Sequence, residues 1–589
     1  MGAALAALRH GCSLALPTVP QAYKGARGAL RAAGRALILP VHLKPAMLKP
    51  ALTWIRSLKD PFRSANAAAQ WIAALPATDA LTLQKEALEL VAKFPGARRV
   101  AGYAQAEALL RIDARFEPVL AQLAQQYATN YQKSTDVETR LWHAVFDLVK
   151  AFVAAYGAVL RAGYPRADHK RWHALLPWIL VRLVHYKGID GKFRLFRYGT
   201  WVPAQWREFH ELYEFARTRG WQRNELAHGA GVFARPGVCV EQEYLKTLLL
   251  MRLDSGNFTP DQVEWVARQL DGWAATLMLV PPPSRGANFF VDLTGSQGLR
   301  RQDKALSGER VLLLDAGPVY TQVVERMRWL PERDDDTTSQ DDPPPREQRL
   351  LLMRLASLYG PDAIAHSPRA TRFQTKAEVR VVVGLAPLMR AVAEIERLPD
   401  AARSAGVAGS YDEITEMVGT GAGPETVSRR IRGVIWKMED RSETGCRLTA
   451  PAKEAPAKLG EILALKEGDT WALAVVRRMQ RHHANETTVG VEIVGRRLVR
   501  VLLRNWVTPT DAGRAGADRP FFGIYLPAHP ENRQMAQRSL IGPDERFVTG
   551  GMVELDTGNA RYLIRFTQAL ERQPGWAWTL FSAVRKLTP

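Results

Sequence analysis

The sequence predicts an α+β multidomain chain in which an N-terminal all-helical bundle is followed by antiparallel β-barrel structure. From about Ser64 to Val280, apolar residues recur at three- and four-residue steps, the spacing of a buried helix face. After Pro281-Pro-Pro-Ser284 the texture changes to short β-branched and aromatic runs separated by turn residues. With 589 residues, 47% of them hydrophobic, the chain can form three or four domains with their own cores.

The formal net charge of +20 favours anionic partners such as nucleotides, nucleic acid or an acidic membrane face, without choosing among them. Cys12, Cys239 and Cys446 lie far apart and make no CxxC or metal spacing, which argues for a reducing, cytoplasmic location. No uncharged apolar run reaches the ~18 residues of a membrane span. The nearest, Trp142 to Leu160, contains His143, Asp147 and Lys150, so no transmembrane segment is expected.

Residues 1–59 hold no acid but carry Arg9, Lys24, Arg27, Arg31, Arg35, Lys44, Lys49, Arg56 and Lys59. Such a stretch is a disordered basic arm, an extension upstream of a start at Met47, or a targeting peptide; prolines and broken apolar runs fit a secretory signal poorly. Residues 60–284 form the helical domain. Leu141, Val145, Leu148, Phe152, Tyr156 and Val159 give one apolar stripe. Trp206, Phe209, Leu212, Tyr213 and Ala216 give a second, with Pro203 at a helix start. His169 and His173 stand one helical turn apart behind Asp168, but no third ligand accompanies them and no metal is expected. Gly188-Ile-Asp-Gly191-Lys192 lacks the spacing and the Ser/Thr of a phosphate loop and reads as a turn. No GxSxG, HExxH or Cys/His pairing stands out, so no catalytic activity is expected.

Residues 285–330 read as a small β/α segment, with strands at Asn288–Thr294 and Arg310–Leu314. Its Asp292-x-Thr294, followed by Gly298, is either a decayed copy of the motif below or a coincidence of turn residues. Residues 331–347 are an acidic, proline-rich linker. Within 348–508 a helix from Arg346 to Tyr359 leads to Arg369 and Arg372, then to a strand alternating Glu378 and Arg380 with Val379, Val381 and Val383. Ala401 to Glu425 is a Gly/Ala-rich excursion. Trp436 to Leu448 reads as strand, polar turn, strand, and Trp471–Val476, Thr487–Val494 and Arg497–Leu503 are three more strands. Five or six such strands make a small antiparallel barrel. Residues 509–589 carry Phe521–Tyr525, Arg561–Phe566 and Trp576–Phe581, a further β unit.

The turn after Trp436 contains Asp440-x-Ser442-x-x-Gly445. A carboxylate and a hydroxyl two residues apart on an extended segment share a side. The glycine lets a flat ligand approach the backbone. Such a surface suits a planar edge bearing N–H donors, such as guanine; the same residues also serve ordinary turn chemistry.

With the arginines before the first strand, that hairpin, and Gly490-Val-Glu-Ile493 following, residues 366–503 resemble a PilZ domain, a six-stranded barrel that in many members binds cyclic di-GMP. The resemblance implies that Arg369 and Arg372 meet phosphates or stack on guanine. It likewise implies that Asp440, Ser442 and Gly445 read the base, with Lys376 and Arg478 at the rim. A planar guanidinium fork pairs bidentately with phosphate, which suits that role. The family pattern places two arginines four apart, whereas Arg369 and Arg372 are three apart and Lys376 follows Arg372. The implied function is a non-catalytic cyclic di-GMP effector, its helical domain relaying to a protein partner in motility, pilus or biofilm control. Two alternatives remain. One is a PilZ-like scaffold that binds a protein without nucleotide. The other is a basic nucleic-acid-binding protein, disfavoured because no stacking aromatics interleave Arg477-Arg478-x-x-Arg481.

Overall fold

The computed structural model describes residues 60–76, 78–94, 102–130, 135–224, 238–253, 255–302, 306–331, 342–361, 371–396, 433–451, 457–467, 470–481, 486–496, 499–506, 520–528, 537–557 and 560–587. The basic arm, Arg369, the Gly/Ala-rich excursion and most of the acidic linker lie outside them. The chain divides into two compact units, one of residues 1–126, 140–190 and 209–244, the other of 127–139, 191–208 and 245–589.

The first unit is helical. Its helices are drawn from α1 (Ala65–Ala73), α2 (Ala80–Val91), α3 (Tyr103–Thr129), α4 (Thr135–Gly163), α5 (Lys170–Leu195), α6 (Pro203–Thr218) and α7 (Val240–Met251). Ser64 and Asp79 cap α1 and α2 by accepting from backbone N–H groups of their first turns. The α4 stripe is buried from Leu141 to Val159, as its spacing predicts. Asp136–Arg166 is long and apolar enough, by length and composition only, to cross a membrane. In this fold its Val145, Phe152 and Tyr156 are instead fully buried among helices.

A polar knot ties α3, α4 and α5 together. Asp113 is fully buried and accepts from Arg182 Nε and Nη2, each at 2.7 Å, and from the hydroxyls of Tyr156 and Tyr186. Burial, reinforced by the Asp113 charge, pushes both tyrosines well above their ordinary range and keeps them as donors. Burial alone would lower Arg182, but Asp113 outweighs it and holds the guanidinium charged.

The segment Gly188–Lys192 is not the turn its glycines suggest; it continues α5 from the first unit into the second. Tertiary packing explains this: a Cβ on Gly191 would stand 2.8 Å from Met251 Sδ and 3.2 Å from the Trp201 ring. Glycine is used there for close approach. After α8 (Pro260–Trp273), strands β1 (Leu279–Val280), β2 (Phe289–Asp292), β3 (Arg300–Arg301) and β4 (Val311–Leu314) form a sheet in the order β1-β4-β2-β3. Helices α9 (Gly317–Arg328) and α10 (Pro345–Tyr359) follow.

The predicted barrel architecture is present twice. In the first barrel β6 (Glu378–Val383), β9 (Ile462–Glu467), β10 (Thr470–Arg481), β11 (Glu486–Gly495), β8 (Gly445–Pro451) and β7 (Val434–Arg441) pair in that order, and β7 also pairs with β6. Short β5 (Phe373–Gln374) extends the β6 edge along β7. Val379, Val381, Trp436, Leu448, Leu465 and Val489 fill its interior.

The second barrel closes through β12 (Val499–Asn505), β13 (Phe521–Leu526), β14 (Ser539–Gly542), β17 (Trp576–Leu587), β16 (Arg561–Gln573) and β15 (Met552–Asp556). Of the stretch Arg497–Leu503, read from sequence with the first barrel, the described residues Val499–Leu503 lie in β12 and open the second. Alternation announces a strand, but only its partners, here β13 and β15, decide which sheet it joins.

Helix α11 (Leu385–Glu396), unforeseen from sequence, packs Leu388 and Val392 into an apolar layer with Val382, Val475, Ile524 and Trp578 from the two barrels. Arg477 then clamps them: its fork meets Glu571 of β16 with both bonds at 2.7 Å while Nε meets Glu492 of β11 at 2.7 Å. That guanidinium is thus committed to the structure and is not part of an open basic rim.

Candidate functional site

The Asp440 hairpin stands on the outer wall of the first barrel. β7 and β8 are joined by a tight turn in which Ser442 donates to the Gly445 carbonyl twice, from its N–H at 2.7 Å and from its hydroxyl at 3.0 Å. Gly445 is required by the sheet itself. A Cβ there would lie 2.2 Å from the Val491 carbonyl oxygen, so the space predicted to admit a ligand is occupied by β11. Ser442 and Gly445 therefore build the turn, and the accessible chemistry rests with the arginines gathered around Asp440.

A β-bulge re-aims that carboxylate. Met438 pairs with Leu448, a core residue, but the register then slips so that Asp440 pairs with Arg447. The β5 segment runs along the other edge of β7, pairing Gln374 with Asp440 and Phe373 with Arg441. This path delivers Arg372 to the same carboxylate. Arg372 Nη1 lies 3.0 Å from Asp440 Oδ1, and Arg447 Nη2 lies 2.7 Å from Oδ2. Asp440 is only 2% exposed, whereas the two guanidinium-bearing side chains are 48% and 45% exposed. The result is a sheltered anion between two half-open cations, each with further N–H donors to offer a ligand.

Of the residues predicted from sequence, the fold unites Arg372, Asp440, Ser442 and Gly445. Lys376 is exposed on the segment between β5 and β6. Arg478 lies on the same sheet, two strands beyond Arg447 through Gly490, and its side chain leans on Gly256. Arg447 escaped the sequence reading. Its signal was a lone arginine between Cys446 and Leu448, two positions past Gly445 on an otherwise apolar strand.

Elsewhere, His169 and His173 are both exposed; His173 meets the Trp221 ring edge-on, and Asp168 is taken by Arg219 at 2.9 Å. Among the described residues no group of three or more His, Cys, Asp or Glu is placed to hold a metal ion.

These features define a class: helices followed by two closed antiparallel barrels, one bearing an Arg–Asp–Arg cluster on its outer wall. Residues 66–283 match the family described as cyclic-di-GMP receptor FimW, N-terminal domain. The match runs from α1 through α8 and β1 and ends before β2, so α9 to α11 and the barrel cluster lie outside it. No curated protein and no solved structure matches the chain.

Proposed function

We propose that this chain is a cyclic di-GMP-binding effector whose ligand sits on the outer wall of the first barrel. The observation that carries this is the meeting of Arg372 with Asp440 across 68 positions of sequence, at 3.0 Å. A guanine edge presents N–H donors to the Asp440 carboxylate, while Arg372 and, from the segment before it, Arg369 meet phosphate or stack on the base. Ser442 and Gly445 hold the turn that positions Asp440, and Lys376 and Arg478 lie at the rim. The match of residues 66–283 to a receptor for the same nucleotide supports the ligand class independently of the barrel.

Binding would draw Arg372 from Asp440 toward the ligand, and that difference between free and bound states is what a protein partner reads. In this reading the protein is a cytoplasmic relay, and its helical part carries the signal to motility, pilus or biofilm machinery. One observation favours a second reading: Asp440 is already satisfied by two arginines, so the barrel is also complete as a scaffold without nucleotide.

Calorimetric titration of cyclic di-GMP into the full chain separates the two, with GTP as control and Arg372→Ala alongside. Saturable binding that is specific to the cyclic dinucleotide and lost in Arg372→Ala is the effector outcome. Absence of heat at high ligand concentration leaves the scaffold.

A further inference from the structure

We propose that Arg447 is a further phosphate-binding guanidinium of this site, supplied by the barrel wall and reaching a ligand that lies over the bare backbone of Gly490. The inference rests on the cyclic di-GMP reading and adds to it a residue from the barrel wall. A cyclic dinucleotide carries two phosphodiesters, and a fork is the side chain that grips each one bidentately. The segment before the barrel follows Arg372 with Lys376, whose ammonium is a point charge. Arg447 supplies a fork from β8 instead.

The register lays out the surface. Asp440 stands opposite Arg447, Arg447 opposite Gly490, and Gly490 opposite Arg478. Cross-strand neighbours share a face of the sheet. Two strand spacings separate Arg447 from Arg478, about 10 Å. Between them Gly490 presents no side chain, and the nearest atom a Cβ would meet is Arg478 Cβ at 3.3 Å. Glycine weakens a strand interior, and a close approach to the backbone is one reason to keep it there. Asp440 takes one nitrogen from each of Arg372 and Arg447, on separate oxygens. It thereby holds two like charges close together and leaves their remaining N–H groups for an anion.

The test is calorimetric titration of cyclic di-GMP into the full chain and its Arg447→Ala, Arg447→Lys and Gly490→Thr variants at several salt concentrations. Thermal midpoints are recorded for each. Arg447→Ala is expected to weaken binding about 10- to 100-fold, the loss of a charge-assisted contact. Arg447→Lys restores only part, because charge returns without the fork. Gly490→Thr covers the floor and weakens binding about tenfold or more; because its Cβ would stand 3.3 Å from Arg478 Cβ, the midpoint falls modestly while the unfolding transition stays cooperative.

Salt separates direct contact from mere support of Asp440. A lost phosphate contact makes the affinity of Arg447→Ala less salt-dependent than that of the parent. Arg447→Ala binding within about twofold of the parent overturns the proposal while leaving the cyclic di-GMP reading intact. So does weakened binding with the salt dependence unchanged, which would make Arg447 a support for Asp440. Absence of binding by the parent chain overturns both.

Discussion

Two turns in this molecule carry nearly the same chemistry and use it differently. At Asp292-x-Thr294 the carboxylate is spent on its own turn, accepting from the Thr294 N–H at 2.9 Å and the Thr294 hydroxyl at 2.7 Å. At Asp440-x-Ser442 the hydroxyl closes the turn on Gly445, and the carboxylate is left for Arg372 and Arg447. The bulge beside Asp440 and the arginines on two neighbouring strand segments make the difference. A short polar motif is turn chemistry by default. It takes on other work only where the fold brings side chains from outside the turn to its carboxylate, as Arg372 and Arg447 are brought to Asp440.

The largest expected effect separates the two aspartates. Asp440→Ala weakens cyclic di-GMP binding at least ~100-fold and costs about 1–2 kcal/mol of stability, because two ion pairs to a sheltered carboxylate vanish although their arginine ends are half exposed. Asp292→Ala leaves binding unchanged; equal losses in the two variants, measured by calorimetry, would show that the long-range pairing does not matter.

Next comes Arg372→Ala, with binding weakened about 10- to 100-fold but stability altered by less than ~1 kcal/mol, since the pair is half exposed on the arginine side. A denaturant midpoint that falls as steeply as for Asp440→Ala would make the pair structural instead.

The turn glycines should differ as well. Gly445→Ala drives a Cβ against the Val491 carbonyl and costs about 1–3 kcal/mol in chemical denaturation. Gly295→Ala, whose Cβ would sit 3.0 Å from the Asp292 carbonyl oxygen, needs a shift of only a few tenths of an ångström and costs less than Gly445→Ala.

The smallest effect concerns Glu461, a half-buried carboxylate without a guanidinium partner of the kind Asp440 has. Burial raises it above its usual 4.5, with Lys458 opposing. The folded state then holds its proton more tightly than the unfolded state. Glu461 therefore costs stability progressively as pH rises from 4.5 to its raised value, the cost staying constant above that and vanishing below 4.5. Glu461→Gln should raise the thermal midpoint modestly at pH 7 and leave it unchanged at pH 4. A rise of equal size at both pH values would locate the effect in packing.

Much of this architecture was legible in sequence because burial imposes a period. The α4 stripe from Leu141 to Val159 and the alternation of Val379 and Val381 are both core patterns, and both are buried. Asp440, Ser442 and Gly445 stood out because turn residues cluster between two apolar runs. Helix α11 was missed because its twelve residues sit between strands and its apolar face is matched to two barrels, not to neighbouring sequence. Arg447 was missed for a similar reason. One arginine in a strand is unremarkable until its cross-strand partner is known, and that partner is set by the bulge in β7.

The sequence by itself determined the helical and β halves, most strand positions and the polar turn, since each depends on residues close together in the chain. Tertiary structure alone decided that β12 belongs to the second barrel, that Gly191 continues a helix, that Arg477 clamps barrel to barrel, and that Arg372 and Arg447 share one carboxylate. Those outcomes depend on register and on contacts between distant segments. No local propensity encodes such contacts, and a one-residue shift in pairing changes which face each side chain occupies.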